Sequence, residues 1–116
     1  GHHAIAEAFG VKLCHAPIHC HGQATPIKVI DSNDYVFHTI PSTFMGGRYH
    51  SWIVENKSLP DELRITAVDE HQHIMALRHK TLPITGLQFH PESILTPEGD
   101  KIIANWIHQA LRNTIG

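Results

Sequence analysis

Apolar positions in the first nine residues recur at helical spacing. Ile5, Ala8 and Phe9 stand at i, i+3 and i+4, and Gly10 follows as a terminator, which predicts a helix over residues 1–9. No capping residue precedes it, so the chain is expected to start inside this helix or at its first turn. From Val11 to Ile30 the pattern turns β-like. Val11–Cys14 is read as a short strand, and the alternation of Ile27, Lys28 and Val29 within Thr25–Ile30 suits a half-buried one. Asp31-Ser32-Asn33-Asp34 is a turn cluster, and Tyr35–Ser42 fits either a short strand or a single helical turn. Met45-Gly46-Gly47 reads as a flexible connection into a β-type run, Arg48–Val54. After a polar loop, Lys57–Glu62, the runs Leu63–Val68 and His73–Arg78 predict a hairpin. Beyond the turn Thr81-Leu82-Pro83, Ile84–His90 predicts an apolar strand that stops at Pro91.

The final element carries the clearest pattern. Thr96 as N-cap, Pro97 at N1 and Glu98 at the positive end of the dipole predict a helix start. Ile102, Ile103, Trp106, Ile107, Ala110 and Leu111 then share one broad face, so this helix is expected to dock on the core along its length. No repeat, low-complexity tract or linker divides the 116 residues, and a single domain over residues 1–116 is expected.

Charge changes the picture by exclusion. Nine Lys and Arg against eleven Asp and Glu give a net charge of −2, which supplies no field for nucleic acid or an anionic membrane. No apolar run approaches the roughly 20 residues of a membrane span, and no signal peptide is evident. A soluble, cytoplasmic protein is expected. The twelve histidines would make the chain strongly positive in mild acid. Cys14, His15, His19, Cys20 and His21 have the softness of a zinc site. Their spacing is not that of a zinc knuckle, and strand alternation sends neighbours to opposite faces. Ordinary packing and surface histidines are therefore expected, with no metal and no cofactor.

Chemistry concentrates in Gly86-Leu87-Gln88-Phe89-His90-Pro91-Glu92-Ser93. An apolar strand delivers a histidine at its end, and a carboxylate follows two residues later. Residues i and i+2 of an extended chain point the same way, and the proline biases His90 towards that extended backbone. A carboxylate on one imidazole nitrogen fixes the tautomer and makes the other nitrogen the better base, which is the base–orienter half of a catalytic triad. A surface histidine beside a solvated glutamate would show the same spacing.

The wider sequence bears on that choice. Phe89-His90-Pro91-Glu92-Ser93-Ile94-Leu95-Thr96 followed by an apolar helix closely resembles the C-terminal signature of class I glutamine amidotransferases. Ser93-Ile94-Leu95-Thr96 looks most like the chorismate-using branch, the glutaminases of anthranilate and aminodeoxychorismate synthases. Three further segments agree in order. Gly1–Gly10 resembles the helix after the nucleophile in the family motif Cys-Leu-Gly-His-Gln, His21-Gly22 resembles a His-Gly-Lys segment, and Arg48-Tyr49-His50-Ser51 resembles the family's Arg-Tyr-His-Ser.

The resemblance implies an α/β domain, with a mostly parallel central sheet flanked by helices and additional antiparallel strands, of which this chain supplies the later strands and the last helix. It also implies a Cys-His-Glu triad that hydrolyses glutamine to glutamate and ammonia for a chorismate-aminating synthase subunit. By motif match His90 is the general base and acid and Glu92 its orienter. Ser51 and Trp52 match positions whose backbone holds the glutamine, and His3 stands where the family has a substrate-binding glutamine. The family cysteine falls two residues ahead of Gly1, and neither Cys14 nor Cys20 matches it, so the 116-residue chain is expected to be inactive alone. The absence of the first strands is expected to leave an open apolar sheet edge, and with it poor stability or oligomerisation. The rival expectations are a glutaminase of another branch, such as GMP synthesis, and a non-catalytic amidotransferase-like interaction module. Zinc titration followed by calorimetry is expected to show no tight stoichiometric binding.

Overall fold

A computed structural model describes residues 2–15, 22–49, 52–54, 59–82 and 84–115, the side chains of His15, Trp52 and residues 112–115 excepted. Helix α1 (His2–Ala8) is followed by strands β1 (Leu13–His15) and β2 (Gln23–Val29), a 3-10 turn (Tyr35–Phe37), and strands β3 (Thr43–Arg48) and β4 (Trp52–Val54). Strands β5 (Leu63–Asp69), β6 (Ile74–His79) and β7 (Thr85–Leu87) lead to helix α2 (Gly99–Ile115). Strands β1 and β4 pair with each other, and the other five form one sheet in the order β3-β2-β5-β6-β7. The class is α/β, as the resemblance implies. The ladders among the described residues are antiparallel.

The five-stranded sheet is curled. Gln88 N–H donates to the Met75 carbonyl at 2.8 Å, and two residues later His90 N–H donates to the Gly47 carbonyl at 2.8 Å. Strands β6 and β3, which stand on opposite sides of the sheet, are thus joined through residues 88–90. Inside the curl lie Ile27, Phe44, Met75, Phe89 and Ile102. The Phe44 ring meets Phe89 edge-on at 5.3 Å. A second cluster, including Ala6, Val11, Val54 and Leu77, seats α1 beside the short β1–β4 ladder.

Four local expectations are corrected. Met45-Gly46-Gly47 is not a flexible connection but the middle of β3, with Met45, Gly46 and Gly47 paired to Pro26, Thr25 and Ala24. Its glycines serve close packing: a Cβ on Gly46 would collide with the Ile27 side chain, and one on Gly47 would stand 3.0 Å from Leu95 Cβ. Helix α2 starts at Gly99 rather than at Pro97, and its early bond runs from Ile102 N–H to the Glu98 carbonyl. Thr96 cannot cap it because its hydroxyl is bonded elsewhere, as described below.

The third correction concerns the apolar face of α2. Ile102 is buried, but Trp106 is 50% and Leu111 55% exposed. Docking is fixed near the helix start, where Asn105 Nδ2 donates to the Val36 and His38 carbonyls at 2.9 and 2.8 Å. The predicted strand Ile84–His90 is likewise shortened to β7, because Phe89 and His90 cross to β3.

Two buried carboxylates act in opposite senses. Asp69 takes N–H bonds from His71 and His73 at 2.8 Å each, which shapes the β5–β6 turn. Its other oxygen meets Arg48 Nη1 at 3.0 Å, with both side chains almost fully buried. Burial works against its charge, but those two backbone bonds, with His73 and Arg48 nearby, hold the carboxyl below the usual carboxylate range. A group depressed in this way stabilises the fold above its ordinary value of 3.8, and that contribution is lost as pH falls through the lower folded value. Asp34 caps the 3-10 turn through Val36 N–H at 3.1 Å, and burial pushes its carboxyl up despite that bond and the nearby Arg78. Its ionisation therefore costs stability as pH rises past its ordinary value. Asp69→Asn is expected to cost about 3 kcal/mol or more by removing the carboxylate that faces the buried Arg48 guanidinium. Asp34→Asn, which keeps the cap, is expected to be neutral or stabilising at pH 7. Urea unfolding midpoints of the two variants check both outcomes.

Candidate active site

The backbone of His90 is held on both sides. Its N–H donates to the Gly47 carbonyl, and its carbonyl accepts from the Thr96 hydroxyl at 2.7 Å. The same hydroxyl accepts from Gly47 N–H at 2.8 Å. Thr96 therefore spans the seam between β3 and the crossing segment, satisfying one group on each side. Behind the seam, a Cβ on Gly99 would run into the Pro91 carbonyl, so α2 begins directly against the loop that carries Glu92.

On this fixed backbone the side chains of His90 and Glu92 meet. His90 Nδ1 lies 3.3 Å from a Glu92 carboxylate oxygen, across Pro91. The two side chains are 47% and 63% exposed, so the pair is open to solvent and the bond by itself is weak. With Nδ1–H donating to Glu92, the Nε2 lone pair is the one left to accept a proton. The Tyr49 ring packs edge-on against the imidazole, with centroids 5.0 Å apart and planes at 85°. Its hydroxyl is bonded to Ser93 Oγ at 3.0 Å.

The remaining candidates are distributed as follows. His3 Nε2 is 2.9 Å from Gln88 Oε1, so the imidazole donates to a side chain two residues ahead of His90. The backbone of Trp52 lies in β4, paired with His15, and Ser51 lies outside the described residues. Cys14 is partly buried in β1 opposite Ile53, while His19, Cys20 and His21 lie outside the described residues. Among the described residues no group of three or more His, Cys, Asp or Glu side chains could hold a metal ion. No described helix is long and apolar enough to cross a membrane.

The family model for class-I glutamine amidotransferases matches residues 1–110. This chain belongs to that family. It is 47% identical over 107 residues to anthranilate synthase component 2 of Mycobacterium tuberculosis, covering 92% of this chain and 45% of the relative. It is 40% identical over 109 residues to aminodeoxychorismate synthase component 2 of Escherichia coli, covering 94% of this chain and 57% of the relative. The chain thus spans about half the length of these curated relatives. In structure it is similar to a Thermoplasma acidophilum protein provisionally described as a component of GMP synthase. The TM-score is 0.86 and the identity 30%, over 98% of this chain and 56% of that one.

Thr96, Gln88 and Tyr49 are the residues that sequence patterning leaves unassigned at this site. Adjacent glycines ahead of Arg48 were the available signal, since paired glycines in a strand mark a close approach. Thr96→Val is expected to destabilise the protein by about 1–3 kcal/mol, because it strands Gly47 N–H and leaves the His90 carbonyl with only its bond from Ser93 N–H, whereas Thr96→Ser retains both hydroxyl bonds. Thermal unfolding of the pair of variants reads the difference.

Proposed function

We propose that the chain carries the base and orienter of a glutaminase that supplies ammonia to a chorismate-aminating synthase subunit. The carrying observation is the His90–Glu92 bond across Pro91, in a member of this family. The chorismate branch is favoured by relatives at 40–47% identity that are named as components of anthranilate and aminodeoxychorismate synthases.

In this reading a cysteine thiolate, at the family position ahead of Gly1, attacks the side-chain amide carbon of glutamine. His90 imidazolium protonates the leaving nitrogen from Nε2, the C–N bond breaks, and ammonia departs from a γ-glutamyl thioester. Water then adds to the thioester while Nε2 takes its proton, and glutamate leaves as the thiolate is restored. Glu92 acts through Nδ1, holding one tautomer and stabilising the imidazolium. Ser51 and Trp52 would hold the glutamine by their backbone. A substrate contact from His3 would require exchange of its bond to Gln88. Cys14 sits within the β1–β4 ladder, and neither it nor Cys20 matches the nucleophile position, so in this reading the 116 residues alone do not carry out this chemistry.

Expressed together with the coding sequence upstream of Gly1, the protein is expected to release ammonia from glutamine in a cysteine-dependent manner. His90→Gln should lower kcat by about 10³-fold or more, and Glu92→Gln by about 10-fold or more. Cysteine-dependent ammonia from the 116-residue chain, or full activity in His90→Gln, would overturn the assignment. The structural likeness to the T. acidophilum protein favours a second branch, GMP synthesis, so ammonia transfer should be assayed with both chorismate and xanthylate acceptors.

A further inference from the structure

Glu92 alone does not account for a fixed imidazole. Both partners are about half exposed or more, and a 3.3 Å bond between solvated groups leaves the ring free to rotate about its Cβ bond for much of the time. Among the described residues, the other ring placed against His90 is that of Tyr49, perpendicular to it at 5.0 Å. Tyr49 is itself 49% exposed, so the question becomes what holds Tyr49.

Two features do. At its far end the phenol hydroxyl is bonded to Ser93 Oγ at 3.0 Å, and Ser93 Oγ is fixed in turn by accepting from Leu95 N–H at 3.1 Å. On its flank the ring lies against Gly22, where a Cβ would stand 3.0 Å from Tyr49 Cε1. Gly22 N–H donates to the Arg48 carbonyl at 2.9 Å and Gly22 adopts φ +79°, so the bare backbone is pinned beside the ring. Arg48, the residue before Tyr49, is anchored to Asp69. The tyrosine is thus located at its base, its flank and its tip.

We infer that Gly22, Tyr49 and Ser93 form a brace that sets the plane of the His90 ring, with Tyr49 and Ser93 as positioning residues for the base. The brace rests on the glutaminase reading only in giving His90 a task. The geometry itself bears on the imidazole alone. Perpendicular packing blocks the rotations that would carry Nδ1 away from Glu92, so the tautomer with a bare Nε2 is held although the carboxylate bond is weak. Ser93, one residue beyond Glu92, links the brace to the same loop that carries the orienter.

Ring ¹⁵N spectra of the 116-residue chain in mildly alkaline buffer test this. The His90 signals are assigned as those that vanish in His90→Gln. In the unsubstituted protein the two ring nitrogens should be widely separated, as for one dominant tautomer. Tyr49→Phe and Ser93→Ala each remove one oxygen from a solvent-accessible contact, and each should shrink that separation by about half as the ring averages over its rotamers. Tyr49→Leu should shrink it further. An unchanged separation in both Tyr49→Phe and Ser93→Ala overturns the brace. Glu92→Ala, which removes the acceptor altogether, is the separate arm for the function: if it leaves the separation intact, the base–orienter pair fails, whatever the Tyr49 variants show. Amide spectra of the five-stranded sheet, unchanged in Tyr49→Phe, confirm that the readout is local.

Discussion

One hydroxyl joins the two sides of the curled sheet. Thr96 Oγ accepts from Gly47 on β3 and donates to the carbonyl of His90, which has just crossed from the β6 side. Without it the seam beside Phe89 would rest on the bond from His90 N–H to the Gly47 carbonyl. With it, the candidate base stands on backbone bonded at both its N–H and its carbonyl. The glycines of β3 follow from the same constraint, since only residues lacking a Cβ let Ile27 and Phe89 pack on one face and Leu95 on the other. Fixing the frame and leaving the reactive groups at the surface is a sound division of labour for a site that must admit a substrate.

The sequence makes the site legible where its determinants are local. His90 and Glu92 are two residues apart across a proline, so backbone preference alone brings them within 3.3 Å. The β5–β6 hairpin is readable for a similar reason, as Asp69 accepts from residues two and four positions after it. Helix α2 shows where locality ends. Thr96, Pro97 and Glu98 form a persuasive start signal, yet the threonine hydroxyl is drawn off by Gly47, 49 positions earlier. His3 and Gln88, 85 positions apart, and Tyr49 with Ser93, 44 apart, leave no trace in periodicity at all.

The apolar stripe of α2 misleads in a more instructive way. Its spacing describes a helix able to bury Ile102, Trp106 and Leu111 together, whereas the described residues cover only the first of them. A hydrophobic pattern reports what a helix can bury and not what the neighbouring elements supply. Arg48 gives the converse case. A basic residue within a β-type run suggests a solvent-facing side chain, but Asp69 and Thr25 take it into the interior and so stiffen the strand just before Tyr49.

The abutment of Gly99 against Pro91 couples two parts of the molecule that are otherwise separate. The helix end and the proline carbonyl are in contact with no side chain between them, so there is no soft material to absorb a displacement of α2. Position 99 thereby admits no side chain, and any substitution there would have to displace either the start of α2 or the proline between His90 and Glu92.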